Sequence, residues 1–190
     1  MLYGQIHLTL PAWIHQEVDV QRPYRDDDSK IALAIQLARR NVELGTGGPF
    51  GAAVFDGNGR VLGVGVNRVV PQTCSVAHAE MMAFMSAQQR TQQFRLNDEQ
   101  GVLPRPIALA TSAQPCCMCY GASFWAGLDE LLIAARAEDV MELTEFDEGP
   151  LPADWRGELT QRGIVVRTDL MRTAARDVLR DYSLHGGRRY

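Results

Sequence analysis

Cysteine is scarce in this chain, and so is any surplus of positive charge. Four cysteines stand among 190 residues, and in a reducing compartment so few are not expected to form disulfides. A formal net charge of -4 argues against a nucleic-acid binder that works through a broad basic surface. No apolar run reaches the roughly 18 residues that a membrane helix needs, so no membrane association is expected. The opening stretch MLYGQIHLTLPAW has no basic region leading into an apolar one. No secretory signal is therefore expected, and the expected compartment is the cytoplasm. Internal repeats and low-complexity tracts are also missing. What remains is 46% hydrophobic and 22% charged, the composition of one soluble domain with one sizeable core.

The scarce cysteines are concentrated. Three of the four fall at positions 116, 117 and 119, in AQPCCMCYGASF. Clustered thiols in a reducing compartment point to metal binding or catalysis. Pro115 suits the first turn of a helix, and Cys116 and Cys119, three apart, leave one flank of it. At a helix N-terminus the unpaired N–H groups and the dipole favour thiolate over thiol. Two such thiolates make half of a tetrahedral zinc site. Cys117 points elsewhere, and it and Cys74 read as small core residues.

The segment VAHAEMMAF, 76–84, supplies the rest. His78 and Glu80 are two apart, so on a helix flank they diverge by about 200°. They converge only on a target beyond the helix tip. The metal therefore belongs between two helix tips, with His78 as third protein ligand and a fourth position left for water. That is the pattern of a catalytic zinc site, one ion per subunit. Glu80 stays unliganded as the proton carrier, a role worth about 10² to 10⁴ in rate. A redox CxxC would want a thioredoxin-like context, which is missing. A structural four-cysteine site would need Cys74 and Cys117 at other spacings. Met81, Met82, Phe84 and Met85 read as core.

The organisation is one domain with two appendages. Residues 1–27 form an N-terminal extension. A helix starts at DDDSK with Asp28 or Ser29 as cap and carries the stripe Ile31, Ala34, Ile35, Ala38 and Val42. AAVF, DGNG and RVLGVGVN read as a hairpin with Leu62, Val64 and Val66 on one face. Two glycines on the other face mark a close approach. Helices and apolar strands then alternate to a closing helix over DLMRTAARDVLRDY. This pattern predicts an α/β sandwich with parallel strands and helices on both faces of the sheet. The body spans 28–183, and a tail, 184–190, can reach away from it. The stretches 91–105 and 146–157 read as irregular.

HAE at 78–80 with PCCMC at 115–119 matches the H-x-E…P-C-x-x-C signature of zinc-dependent nucleobase deaminases. Over about residues 28–183 the chain resembles the cytidine deaminase-like superfamily. The resemblance implies a three-layer α/β/α sandwich with a five-stranded mixed sheet, and hydrolytic loss of an amino group from a heterocycle. Within the superfamily the chain looks most like the bacterial guanine deaminases. GGPFGAAV, GVN, GASFWA, EFDEG and the terminal GGRRY carry that likeness. It implies Asn67 as a substrate contact, an aromatic at Trp125, a carboxylate that reads guanine, and a tail tyrosine, Tyr190, donated across a homodimer to close the site. The segment around EFDEG departs from the family, so Glu145, Asp147 and Glu148 compete as the reading carboxylate; Glu148 is favoured, with Glu145 second.

The chemistry suits guanine. Its N–H and amino groups share one edge that a carboxylate can accept from, and Asn67 both donates and accepts. Phe50 and Trp125 can wall a flat ring, though both also read as plain core. The expected reaction is guanine to xanthine plus ammonia, in purine metabolism, with an amino-hydroxy-triazine such as ammeline as a second substrate. A tRNA adenosine deaminase or a cytosine deaminase of the same superfamily is the alternative. An RNA substrate would need a basic track, and the row Arg172, Arg176 and Arg180 is interleaved with Asp169, Asp177 and Asp181, which reads as a paired face. A zinc-stabilised binding protein without turnover is the alternative of another class; Glu80 speaks against it.

Overall fold

The computed structural model describes residues 4–190. The extension carries one short helix, α1 (Ile14–Glu17), before the long helix α2 (Asp27–Glu43). The cap of α2 is Asp26, not Asp28 or Ser29. Its carboxylate accepts from the Ser29 N–H at 2.7 Å, so the helix begins just before the expected caps. The apolar stripe of Ile31, Ala34, Ile35 and Ala38 is buried.

The chain then runs through β1 (Gly51–Phe55), β2 (Val61–Val66), α3 (Val69–Gln72), α4 (Ala79–Thr91), β3 (Ala108–Ala113), α5 (Cys117–Ala126) and β4 (Glu130–Ala135). It ends with α6 (Ala137–Thr144), α7 (Trp155–Gln161), β5 (Val165–Arg167) and α8 (Arg172–Leu184). The five strands lie in the order β2-β1-β3-β4-β5. β1 is antiparallel to both β2 and β3, whereas β3, β4 and β5 run parallel. This is the expected mixed sheet.

Two apolar layers cover its faces. Residues of α2, α6 and α8 pack on one side around Phe55, Val64 and Leu132. Residues of α4, α5 and α7 pack on the other around Val54, Leu109 and Ile133. The expected single face of Leu62, Val64 and Val66 is broken. Leu62 joins the α4 side and Val61 joins Val64 and Val66 on the α2 side. The cause is a register shift at Val54/Phe55, opposite Val61, which reverses the alternation there. The two strand glycines do mark a close approach. A Cβ at Gly63 would sit 2.7 Å from Ala83 O, and one at Gly65 would sit 2.5 Å from Ala83 N. Helix α4 thus lies directly on the β2 backbone, which fixes where its N-terminal tip emerges.

Among the described residues no helix is long and apolar enough to cross a membrane. The arginine row of α8 is paired, partly across elements. Arg172 and Arg176 both meet the buried Asp139 of α6, Arg180 meets Asp177, and Asp181 meets Arg39.

Candidate active site

Both parts of the motif stand at helix tips. His78 is the N-cap residue of α4 with extended backbone, and Glu80 lies in the first turn. Cys116 holds the same place on α5, and Cys119 follows in its first turn. Strand β3 leads into α5, so the α5 tip stands at the C-terminal end of a parallel strand, where open α/β sheets place their ligands.

The ligand atoms of His78, Cys116 and Cys119 all lie within 4.8 Å of one another. Cys116 Sγ is 3.5 Å from His78 Nδ1. Glu80 is buried beside them. Its Oε1 accepts from the Thr111 hydroxyl at 3.1 Å, and Cys119 Sγ lies 3.5 Å from its Oε2.

The electrostatics describe crowded negative charge. Burial, with the Cys116 charge adding, raises Glu80 above the ordinary carboxylate range. Burial together with the charges of Cys116 and Glu80 pushes Glu148 up to about 8. The hydrogen bond from Cys119 brings Cys116 down to about 4 against the effect of burial, and the same bond, then burial, raises Cys119. Burial lowers His78, but its hydrogen bond to Cys116 and the charges of Glu80 and Cys116 outweigh it, so the imidazole is raised. A cation at the meeting point of the three donors would offset this crowding. One imidazole and two thiolates from two helix tips are the donor set that zinc takes, with a fourth position left over. The residues fit a zinc ion.

The pocket over this point is lined by Phe50, Asn67, Glu80, Phe146, Glu148 and Tyr190, with Ala79, Gln114 and Asp147 completing its wall.

The model of the cytidine and deoxycytidylate deaminase zinc-binding region matches residues 25–135, which include every one of these donors. The chain belongs to the cytidine and deoxycytidylate deaminase family. Its likeness to solved deaminases extends over almost the whole chain. A structure of guanine deaminase from Nitrosomonas europaea is 38% identical, with a TM-score of 0.89, covering 97% of this chain and 99% of that one. NE0047 in complex with 2,6-diaminopurine is 40% identical, with a TM-score of 0.87, covering 97% and 95%. The guanine deaminase of Bacillus subtilis is 35% identical over 118 residues, 62% of this chain and 69% of its own length.

The remaining expectations divide. In this deaminase Phe50, Asn67, Glu148 and Tyr190 line the pocket. Trp125 does not, and its expected role as a ring wall in its own chain is corrected: it is 75% exposed and stacks edge-on with Phe124. It stands nine positions beyond Cys116, and nine steps of about 100° place it half a turn from the metal-facing flank. Phe146 takes the wall position instead, tilted against Phe50 with ring centroids 5.6 Å apart. Glu145 is also outside the pocket. It ends α6 in the left-handed region at φ 59° and pairs with Arg189 on the surface. Cys117 is exposed rather than core, because it leaves the α5 tip one step round from Cys116, about 100° off the metal-facing flank. Cys74 is half-buried. Of the methionines expected in the core, Met82 is buried, while Met85 is 37% exposed.

Tyr190 enters the pocket of its own chain. Its ring lies 4.7 Å from that of Phe146, and its hydroxyl fills the space that a Cβ at Gly48 would need. The residue as a whole is 40% exposed, and desolvation at the pocket raises its phenol above the ordinary value. Thr111, Gln114, Phe146 and Asn41 escaped the sequence reading. Thr111 and Asn41 had a signal: each is a polar residue in an apolar pattern, in ALATSA and on the buried stripe of α2.

Proposed function

We propose that this deaminase hydrolyses guanine to xanthine and ammonia. The observation that carries this reading is the buried carboxylate of Glu80, hydrogen-bonded by Thr111 beside a three-donor metal site, at the floor of a pocket walled by aromatic rings. Similarity to guanine deaminases along nearly the whole chain supports the choice of base.

His78, Cys116 and Cys119 would hold the zinc ion, which when bound supplies Lewis acidity that brings the pKa of water down toward about 7. Glu80 takes a proton from the attacking water and delivers it to the ring nitrogen beside the amino-bearing carbon. Water adds to that carbon, the carbon–nitrogen bond breaks, and the amino group leaves as ammonia with the second proton. Glu148 accepts from the N–H edge of the base, and Asn67 reads an adjoining edge. Phe50 and Phe146 hold the ring, and Tyr190 shuts out bulk water.

The enzyme works in the cytoplasm, in purine metabolism, and as a homodimer. The exposed ring of Trp125 is apolar surface that a second subunit would cover. Exchange of the 184–190 tails between subunits would place each Tyr190 in the partner's pocket in the position it takes here within one chain.

The test is ammonia release from guanine by zinc-loaded protein, by chelated protein and by the Glu80→Ala variant, with cytosine, adenine, adenosine and an adenosine-containing tRNA in parallel. Release from guanine that vanishes in the second and third samples is expected. Turnover of another substrate without guanine would discard the choice of base and keep the chemistry.

A further inference from the structure

A chain of hydrogen bonds links the N-terminal extension to the pocket. The indole N–H of Trp13 donates to the Thr46 hydroxyl at 3.0 Å, and that hydroxyl donates to Asn41 Oδ1 at 2.7 Å. Asn41 is fully buried and uses Nδ2 twice, donating to Gly48 O at 2.8 Å and to Asn67 O at 3.0 Å. The extension is tied to the same loop a second time, since Arg68 donates both to Thr9 O and to Thr46 O. The loop it grips, 46–48, flanks Asn67 on one side and seats the Tyr190 hydroxyl at Gly48 on the other.

We infer that the extension belongs to the substrate-reading apparatus: Trp13, Thr46 and Asn41 are positioning residues that fix Asn67. The inference rests on the reading that Asn67 contacts the base. Geometry favours a positioning role over plain packing. An amide donating to two carbonyls that lie 19 positions apart in the chain (Gly48 and Asn67) holds them in one arrangement. Its own rotation is fixed by the Thr46 hydroxyl, which donates to Asn41 Oδ1 while a lone pair accepts the Trp13 N–H, and that second bond holds the hydroxyl in place. The side-chain amide of Asn67 is then oriented locally, because Asn67 Oδ1 accepts from the Val69 N–H at 3.2 Å. That last bond is a reporter which needs no substrate.

Trp13→Phe keeps the ring against the core and removes only the indole N–H. Thr46→Val removes the hydroxyl, and Thr46→Ser restores it. In the full-length, zinc-loaded protein, Trp13→Phe and Thr46→Val should raise KM for guanine about fivefold, the effect of one hydrogen bond. They should leave kcat within about twofold and zinc content unchanged, and Thr46→Ser should behave as the parent does. Hydrogen–deuterium exchange should accelerate by about the same factor at the Val69 amide while β1 and β3 stay protected. Unchanged exchange at Val69 overturns the inference, and so does a uniform rise across the sheet, which marks a merely structural role. If the parent protein does not turn over guanine, the choice of base fails, and the Val69 amide still decides whether the extension fixes Asn67.

Discussion

The Thr111 hydroxyl of β3 donates to Glu80 Oε1 of α4 at 3.1 Å, and both residues are buried. It leaves Glu80 Oε2 directed toward the Cys119 side of the metal site. A carboxylate that must take a proton in one direction and release it in another needs a fixed ring of partners, and β3 supplies one. Thr111→Val, nearly isosteric, should lower kcat about tenfold with KM little changed, because a neutral donor to a buried acceptor is lost. Thr111→Ser should retain most of the rate. A loss in KM alone would show that Thr111 serves the base rather than Glu80.

Glu148 and Glu145 are three residues apart and take opposite positions. Glu148 lines the pocket, and its own carbonyl accepts from the Cys117 N–H at 3.0 Å, which ties it to the α5 tip. The Glu145 side chain is 64% exposed and pairs with Arg189 of the tail. Glu148→Gln keeps the shape and replaces one acceptor by a donor, so the base edge meets a like group. KM for guanine should rise by about 10² or more, the cost of an unpaired buried donor. Glu145→Gln should change KM less than about threefold, as expected for an exposed pair. Steady-state kinetics of the two variants side by side decides the assignment.

Much of this site was legible because its core is local. A metal site built on helix tips puts its donors at the caps, and cap positions follow from sequence: proline before Cys116, a turn before His78. The sheet was legible for the same reason, since short apolar runs bounded by turns alternate with helical stretches. What escaped reading depends on how elements meet. Helix α7 contains Gly157 and only seven residues, too weak a local signal to set against its neighbours. Phe146, rather than Trp125, faces Phe50 because α6 ends in a left-handed residue that turns the chain back over the site. That geometry belongs to the α6–α8 packing and not to any periodicity. The reach of Tyr190 into its own pocket follows from an aperiodic tail whose last two residues are held by Glu145 and Phe146, far back in the chain, and no local pattern encodes those contacts.

That tail is attached lightly, which makes it a door rather than a wall. The Tyr182 hydroxyl donates to Arg188 O at 2.6 Å, Arg189 pairs with Glu145 on the surface, and Tyr190 packs on Phe146. Removing residues 187–190 should therefore move the melting temperature by no more than about 3 °C, a cost of about 1 kcal/mol in a domain of this size. The same truncation should lower kcat/KM for guanine at least tenfold, because the pocket then stays open to water. Melting curves and initial rates on one preparation separate the two effects. A large fall in melting temperature would instead make the tail a structural strap.

Asp139 governs the acid side of stability. Its carboxylate is 1% exposed and accepts from Arg172 at 2.7 Å, from Arg176, and from the Arg136 N–H at 2.9 Å in the capping box of α6. The Arg172 hydrogen bond, with those of Arg136 and Arg176, holds it well below the usual carboxylate range despite its burial. A carboxylate depressed in the folded state favours folding above its unfolded pKa of about 3.9. Its contribution is complete at neutral pH and is lost as pH falls from about 5 down through the folded value. Asp139→Asn should cost about 2–3 kcal/mol at pH 7, the loss of charge-assisted bonds to two arginines that then return to water. The gap between the two proteins should begin to narrow below about pH 5 and close only as the pH falls through the depressed folded value. Urea unfolding at a series of pH values gives both curves, and a difference that stays constant from pH 7 to pH 3 would show that Asp139 acts by packing and not by charge.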